Sequence, residues 1–298
     1  MVAQNTHENP AYSLAALGEF ATREQLEDPD LYYAALHAVL AILSTQDGLV
    51  QLQDLPTIII PDIHARRALL LAVLSTQLTN GPYTGRQVFD LLQQGLLNIV
   101  CVGDIVHSEK RSDWVINLDG EWTAELLDKE MVRSLGAGTM VMYLKAHYPA
   151  HFHCLRGNHD DMAGELSADF RKFVGLKYKD DEEELVTVDG RPVLTGDKGE
   201  SKLVREWVLN RAGWGQPFLE TWARFESALP LLAQAPYYVV SHTLPLIPLT
   251  AADIRDPHRA REISLELTSR RGTDEAAIKG TLENLGLQET TQRWFHGH

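Results

Sequence analysis

The chain has 298 residues, with 41 acidic and 27 basic side chains and a formal net charge of −14. This length allows one large domain with a buried core, and the acidic balance disfavours a nucleic-acid scaffold or an anionic membrane surface as a partner. The sequence contains no run of about 18 apolar residues, and its first residues lack a basic segment followed by an apolar one. We therefore expect a cytoplasmic protein without a membrane partner, and the composition leaves its oligomeric state open.

The first part of the chain is predicted to be helical and then to enter a sheet. Residues 1–50 are predicted to form a helical N-terminal extension, because leucine and alanine recur at helical spacing between Asp28 and Leu43. The β-branched run 57–60 is too short for a helix and is bounded by prolines, which predicts a buried strand. A leucine-rich helix is expected after it, over residues 65–78.

Two further buried strands are predicted over residues 98–102 and 151–155, with a mostly helical stretch, 109–148, between them. The only two cysteines, Cys101 and Cys154, lie inside these apolar runs, and each is expected to be a buried free thiol. Neither a disulfide framework nor a cysteine-ligated zinc site is therefore expected.

The remaining part of the chain is less regular. Residues 161–235 contain an acidic cluster and aromatic residues that indicate helices, with a short hairpin predicted between 185–188 and 192–195. Beyond it we predict a strand, a helix and a last short strand, over residues 237–240, 259–286 and 293–295. The alternation of strands and helices predicts an α/β layered fold.

Each of the five predicted strands is followed by side chains that can bind a metal ion. Taken singly, each pattern is ordinary turn chemistry, but open α/β sheets place ligands at the carboxyl ends of their strands, where these side chains would meet. All are oxygen or imidazole donors, which suits manganese, iron or zinc and disfavours copper(I) or an iron–sulfur cluster. Two ions in one site need a carboxylate between them, and Asp104 is the natural bridge. The donors are Asp62, His64, Asp104, Asn158, His159, His242, His296 and His298.

This ordered set resembles the calcineurin-like metallophosphoesterases, and within them the phosphoprotein phosphatase branch. The resemblance spans residues 57–298, and the segment 103–160 is similar to bacterial members of that branch. It is carried by the segments Asp62-x-His64, Gly103-Asp104, Arg156-Gly157-Asn158-His159-Asp160, Ser241-His242 and Gly297-His298.

The resemblance implies a sandwich of two sheets flanked by helices, with a two-metal site at the carboxyl ends of the strands. It implies that the first ion binds Asp62, His64 and Asp104, and that the second binds Asp104, Asn158, His242 and His298. A hydroxide shared by the ions would attack phosphorus in line. In this scheme His159 protonates the leaving oxygen and Arg156 clamps the phosphate.

The chain departs from the family pattern in residues 103–109. Those phosphatases usually have Gly-Asp-x-Val-Asp-Arg-Gly, whereas here His107 takes the place of the aspartate that orients the acid histidine, and the following arginine is absent. His107 is therefore included among the candidate catalytic residues. Arg111 is a candidate for the missing phosphate contact, and an ordinary surface arginine is the equal alternative.

The predicted organisation is a metallophosphoesterase domain over residues 51–298, with helical insertions at about 108–148 and 161–235. Relatives often continue as Gly-His-x-His, so we expect a truncated carboxyl end and His296 as a neighbour of the site. The predicted function is hydrolysis of phosphoric esters, of a phosphoprotein, a nucleotide or a small phosphomonoester. The alternatives are a metal-binding interaction module that lost turnover and a purely structural metal site, which a chelator would unfold.

Overall fold

The computed structural model describes residues 10–26, 28–108, 124–162, 207–287 and 293–297, together with the short strand segments 175–176, 187–188, 191–192 and 194–195. The strands are β1 Leu49–Gln51, β2 Thr57–Ile60, β3 Asn98–Cys101, β4 Phe152–Cys154, β5 Gly175–Leu176, β6 Thr187–Val188, β7 Arg191–Pro192, β8 Leu194–Thr195, β9 Leu232–Ala235, β10 Tyr238–Ser241 and β11 Trp294–His296. The α-helices are α1 Leu14–Thr22, α2 Pro29–Leu43, α3 Arg67–Ser75, α4 Val88–Gln93, α5 Ala124–His147, α6 Gly215–Ala228, α7 Ala251–Arg255, α8 Ala260–Ser269 and α9 Glu275–Asn284.

The main strands form two sheets. One is the parallel sheet β2-β3-β4, and the other has the order β1-β9-β10-β11, in which only the β9–β10 pair is antiparallel. The sequence predicted the strands after which the ligands lie, but it did not predict β1 or β9. Cys101 and Cys154 lie opposite each other on β3 and β4 as buried free thiols, which confirms that prediction.

The two sheets pack face to face because successive side chains of a strand point to opposite faces. On β3, Ile99 belongs to the core under the helices, whereas the next residue, Val100, belongs to the core between the sheets. On β10, Val239 packs towards α7, α8 and α9, and Val240 packs between the sheets. The order of layers is helices, sheet, sheet, helices, which confirms the predicted layered α/β fold with a sandwich at its centre.

The N-terminal helices share the largest hydrophobic core with the helices that follow. Leu17 and Phe20 of α1 and Leu36 of α2 are buried in the same cluster as Leu135 of α5 and Phe218 of α6. The predicted boundary between residues 50 and 51 falls inside β1, which pairs with β9. The predicted helical extension over residues 1–50, as a unit separate from the domain over residues 51–298, stays a prediction.

Replacing Phe20 by alanine tests whether these helices fold with the rest of the chain. Phe20 is 2% exposed, and a phenylalanine-to-alanine change in such a core costs about 3–5 kcal/mol of unfolding free energy. We expect that loss in a single urea-induced transition. Tyr12→Ala is the control, because Tyr12 is 57% exposed and its loss is expected to cost about 0.5 kcal/mol. A separate early transition for the N-terminal helices would contradict shared folding.

The structure corrects the single helix predicted over residues 259–286. The chain forms α8 and α9 instead, because Gly272 adopts φ +126° between them and Asp274 caps α9 by accepting from the Ala277 amide at 3.0 Å. The break leaves Arg270 and Arg271 outside either helix. Helices α4 and α7 were also not predicted.

Among the described residues, the predicted hairpin pairs two residues of each strand. Thr187 and Val188 pair with Pro192 and Arg191, so the two-residue connection is present, but Leu194–Thr195 pairs with Gly175–Leu176. Among the described residues, no helix combines the length and apolar character needed to cross a membrane.

Candidate metal centre and its cavity

The ends of four strands, three from one sheet of the sandwich and one from the other, bring the predicted ligands together. Asp62 and His64 follow β2, and Asp104 follows β3, which is parallel to β2. The two loops stay bonded beyond the strands, since the His64 amide donates to the Asp104 carbonyl at 2.6 Å. Asn158 follows β4, and His242 follows β10 of the other sheet. The site therefore spans both sheets.

The candidate donor atoms lie close enough to one another to share one metal site. One ligand atom each from Asp62, His64 and Asp104 lies within 4.8 Å of the other two. The Asp104 Oδ2 atom is 3.7 Å from His64 Nε2 and 3.4 Å from His242 Nε2. Asn158 Oδ1 lies 2.9 Å from the same His242 nitrogen. The Asp104 carboxylate thus stands between two imidazoles, as a bridging ligand would.

Backbone carbonyls fix the orientation of both histidines. His64 Nδ1 is 3.0 Å from the carbonyl oxygen of His107, and His242 Nδ1 is 3.0 Å from that of Val102. A nitrogen next to a carbonyl oxygen must donate, so a neutral ring keeps its lone pair on Nε2. Those lone pairs face carboxylate and amide oxygens, an arrangement that a cation between them stabilises. The residues therefore fit a metal ion.

Backbone strain is concentrated at this site. In the described part of the chain, the non-glycine residues with positive φ are His64 (43°), Ala65 (57°), Asp104 (50°) and His107 (73°). A non-glycine residue in this region costs about 1–3 kcal/mol and persists where surrounding contacts impose it. Here the strain turns the side chains of the first two loops towards one point.

Asp160 ties the Asp104 loop to the loop after β4. Its buried carboxylate accepts backbone N–H bonds from Asp104 at 2.9 Å, Ile105 at 2.8 Å and Gly157 at 2.8 Å. Burial raises the pKa of Asp160, and the bonds from the Gly157 and Ile105 amides act in the opposite direction. The sequence singled out this residue only as part of the resembling segment. Its role is to hold two ligand loops together.

Two glycines are required by close approach to ligand carboxylates. A Cβ on Gly157 would lie 2.2 Å from Asp104 Oδ1, and one on Gly297 would lie 2.1 Å from Asp62 Oδ1. Any larger residue would displace the ligand loops. The chain just before His298 therefore touches Asp62, one of the predicted ligands. His298 itself lies outside the described residues, as do Glu109 and Arg111.

His159 and His107 lie beside the ligands. Their rings stack with centroids 5.0 Å apart, and the His159 amide donates to Asp104 Oδ1 at 2.7 Å. The backbone of His107 is held from α5, where Ser134 Oγ accepts its N–H at 2.9 Å. Burial, with the charge of His64 as a smaller cause, lowers the pKa of His107 to about 3. His107 is a neutral ring packed on the predicted acid.

Arg156 lies beneath the ligand loop. Its Nε atom donates to the Asp160 carbonyl at 3.1 Å, and its Nη2 atom is 3.7 Å from Asp161 Oδ1, with a side chain only 4% exposed. The neighbouring Glu226 accepts from the Met162 amide, and burial raises its pKa well above the usual value. The phosphate contact predicted for Arg156 stays a prediction, and the structure gives this side chain a partner inside the protein.

A cavity of about 530 Å³ opens at the ligands. Its walls contain Asp62, His64, Asp104 and His159, as the strand-end pattern predicts, and also His296. The residues that sequence reasoning missed are Thr243, Leu244, Arg270, Arg271, Gly272 and Thr273. The sequence contains a signal for the arginines in Arg270-Arg271-Gly272, a basic pair before a glycine that can end a helix, but the prediction of helical residues over 259–286 places them inside a helix.

No protein-family model matches the sequence, and a search of curated proteins found no match. Among solved structures it is similar to a protein serine/threonine phosphatase from Saccharomyces cerevisiae, itself similar to human phosphatase PP5. The identity is 15% and the TM-score 0.44, over 87% of this chain and 58% of the yeast chain. This chain thus spans less than two thirds of that protein's length. At such values the function has to be argued from the geometry of the site.

Proposed function

We propose that this protein is a metal-dependent hydrolase of phosphate esters with two ions in the strand-end site. Asp62, His64 and Asp104 would hold the first ion, and Asp104, Asn158, His242 and His298 the second. Oxygen and imidazole donors without thiolate suit manganese, iron or zinc. When bound, such a pair activates water as a nucleophile and neutralises the phosphoryl oxygens.

One observation carries the proposal. The Asp104 carboxylate lies within 3.7 Å of the Nε2 atoms of two histidines whose Nδ1 atoms are both engaged by backbone carbonyls. A structural ion would be enclosed by four ligands, whereas this set borders an open cavity of about 530 Å³. A substrate can reach the metal ions only if the site is open.

The chain's own residues supply the remaining functions. His159 lines the cavity and is held through its amide by Asp104, which places an imidazole where it can donate a proton to a leaving oxygen. Arg270 and Arg271 line the same cavity and supply N–H donors suited to phosphate oxygens. Carboxylate ligands, a proton donor and guanidinium groups in one cavity favour phosphate esters over uncharged substrates. The proposed substrate is the phosphate ester of a phosphoprotein, a nucleotide or a small molecule.

Hydrolysis of 4-nitrophenyl phosphate by protein stripped of metal and then supplied with manganese tests this function. We expect activity that depends on added manganese and is lost in Asn158→Ala, because the Asn158 amide lies 2.9 Å from the ligand nitrogen of His242. Asn80→Ala is the control, since Asn80 is exposed in the loop after α3. If the Asn158→Ala variant were as active as the wild type, the Asn158 amide would be excluded as a metal ligand.

The second candidate function is a binding module that holds metal without turnover. It is favoured by His107, which occupies the place where the resembling phosphatases have a carboxylate next to the acid histidine. Bound manganese without hydrolysis of an aryl phosphate, a phosphopeptide or a nucleotide would establish it. Unfolding of the stripped protein would instead indicate a structural metal.

A further inference from the structure

The loop after β3 is held to the rest of the protein at two places. The first is Asp160, whose carboxylate binds the amides of Asp104 and Ile105. The second lies on α5, where the side chains of Glu130 and Ser134 bind the amides of residues further along the same loop. Because the two anchors act on successive parts of one loop, each can control a different group of the metal site.

Glu130 and Ser134 form a buried hydrogen-bonded pair. They lie four residues apart and therefore on the same face of α5. The Ser134 Oγ atom donates to Glu130 Oε1 at 3.0 Å and accepts from the His107 amide at 2.9 Å. The same Glu130 oxygen accepts from the Ser108 amide at 2.8 Å. The pair thus binds two consecutive amides of the loop, one of them directly through a carboxylate.

These bonds account for the strained backbone of His107. Its φ is +73°, a region that a residue with a side chain adopts where surrounding contacts impose it. The His107 amide belongs to the peptide group before its Cα, and the Ser108 amide belongs to the peptide group after it. Binding both amides to α5 fixes the orientation of both planar groups, and so it fixes φ and ψ at His107.

The peptide group between His107 and Ser108 connects Glu130 with a predicted metal ligand. Its N–H donates to Glu130 Oε1, and its carbonyl oxygen lies 3.0 Å from His64 Nδ1. The bond is trans, so the N–H and the carbonyl point in opposite directions, and the carboxylate and the imidazole lie at opposite ends of one planar group. The position of Glu130 on α5 therefore sets where the acceptor for His64 lies.

The hydrogen bond at one end of this peptide group strengthens the bond at the other end. An N–H that donates to a carboxylate polarises its peptide group, which makes the carbonyl oxygen a stronger acceptor. A stronger acceptor at Nδ1 holds the His64 ring in one orientation and raises the basicity of its Nε2 atom. Nε2 is the atom that faces Asp104 Oδ2 at 3.7 Å. Asp160 holds Asp104 through a separate bond, so loss of Glu130 should affect His64 first.

We propose that Glu130 is a positioning residue for the ion at His64, and that it acts through the His107 carbonyl. Ser134 is its partner on α5. This role rests on the proposed two-ion function, since it concerns one of the two ions. The expected consequence is selective, because the ion held by His64 depends on Glu130, whereas the ion held by His242 does not.

Binding of manganese to the stripped protein, measured by isothermal titration calorimetry, tests the role of Glu130. We expect Glu130→Ala to weaken one of the two sites about 10-fold, as for loss of an outer-shell partner, and to change the other less than about 2-fold. The weakened site should be the one that remains in Asn158→Ala, which lacks a predicted ligand of the second ion. Glu130→Gln keeps the shape and an acceptor for the Ser108 amide, so a smaller loss of about 3-fold is expected. The glutamine variant decides the question if Glu130→Ala does not fold.

Thr139→Val is the matched control on the same helix. Thr139 is buried, and its hydroxyl donates to the Leu135 carbonyl at 2.9 Å within α5. Its loss removes a buried hydrogen bond of α5 that does not reach the ligand loop, so both Kd values are expected to stay within about 2-fold of the wild type. Equal weakening of both sites by Glu130→Ala would reflect general loosening of the protein and would overturn the positioning role. Wild-type affinities in the Glu130 variants would overturn it as well.

A measurement without metal separates this role from the proposed hydrolase. Ring-nitrogen NMR of His64 in the stripped protein reports whether Nδ1 carries the proton, as its 3.0 Å contact with the His107 carbonyl requires. We expect the Glu130 variants, but not Thr139→Val, to lower the fraction of that tautomer. This result in a protein that neither binds manganese nor hydrolyses 4-nitrophenyl phosphate would support the positioning of His64 and overturn the hydrolase. An unchanged tautomer and unchanged metal affinities, with hydrolysis intact, would overturn the positioning role alone, and an unchanged tautomer without hydrolysis would overturn both.

Discussion

Asp104→Asn is expected to remove the metal centre and with it the hydrolytic activity. The Asp104 Oδ2 atom lies 3.7 Å from His64 Nε2 and 3.4 Å from His242 Nε2, so its charge serves both halves of the site. Asparagine has the same shape and keeps an oxygen for the His159 amide, but it has no charge to offset the repulsion of two ions. Loss of an outer-shell partner already costs about 10–100-fold. We expect more than about 100-fold lower kcat/KM for this variant.

Metal content and activity are both measured for this variant. Elemental analysis of the wild-type protein is expected to give two equivalents of manganese, iron or zinc per chain, and the variant is expected to hold fewer than one. Asp90→Asn, at an exposed position on α4, is the matched control and should behave as the wild type. A variant with the full complement of metal and full activity would exclude Asp104 as a bridging ligand.

His159→Ala is expected to lower activity without lowering metal content, to an extent that depends on the leaving group. An alkyl phosphate expels a basic alkoxide that needs a proton, so loss of the acid should cost about 10²–10⁴-fold. 4-Nitrophenolate leaves without a proton, and the loss for its phosphate should be much smaller. The ring also stacks on His107 with centroids 5.0 Å apart, so local packing changes in the variant.

The leaving-group dependence separates proton donation from a packing role. Rates are compared for glycerol 2-phosphate and 4-nitrophenyl phosphate in the wild type, His159→Ala and the control His258→Gln, whose position is exposed after α7. A packing defect would lower both rates alike. Equal losses for the two substrates would therefore exclude His159 as the general acid. Unequal losses would also show that His159 can donate the proton with the neutral His107, and not a carboxylate, beside it.

Local pattern was sufficient to predict the strands that carry the ligands. The short β-branched runs before Asp62 and Asp104 can be buried only as strands, and polar groups at their carboxyl ends have few other places to lie. The spacing of Asp62 and His64 along one loop is likewise a property of the sequence. The distances from His64 Nε2 to the carboxylates of Asp104 and Asp62, 3.7 and 3.9 Å, are not, because they depend on the strained backbone at His64 and Asp104.

The basic wall of the cavity could not be predicted in the same way. Helical spacing continues on both sides of Arg270 and Arg271, so the sequence predicts that both lie inside a helix. The Asp274 cap and the positive φ of Gly272 end one helix and start another, which moves both arginines to a turn at the cavity. Arg156 is predicted to contact phosphate and is adjacent in sequence to the loop that carries Asn158. In the structure, its side chain contacts Asp160 and Asp161 beneath that loop.

The sequence by itself determined the alternation of strands and helices and the oxygen and imidazole chemistry of the strand ends, because both follow from residue type and from neighbours a few positions away. Only the tertiary structure decided that β10 delivers His242 from a second sheet, that Asp160 joins the loops after β3 and β4, and that α8 ends at the cavity. The first two facts depend on contacts between residues more than 50 positions apart in the chain, and the third depends on the bond from Thr243 to Glu266, 23 positions away. Such contacts are set by packing of whole layers, which local spacing does not specify.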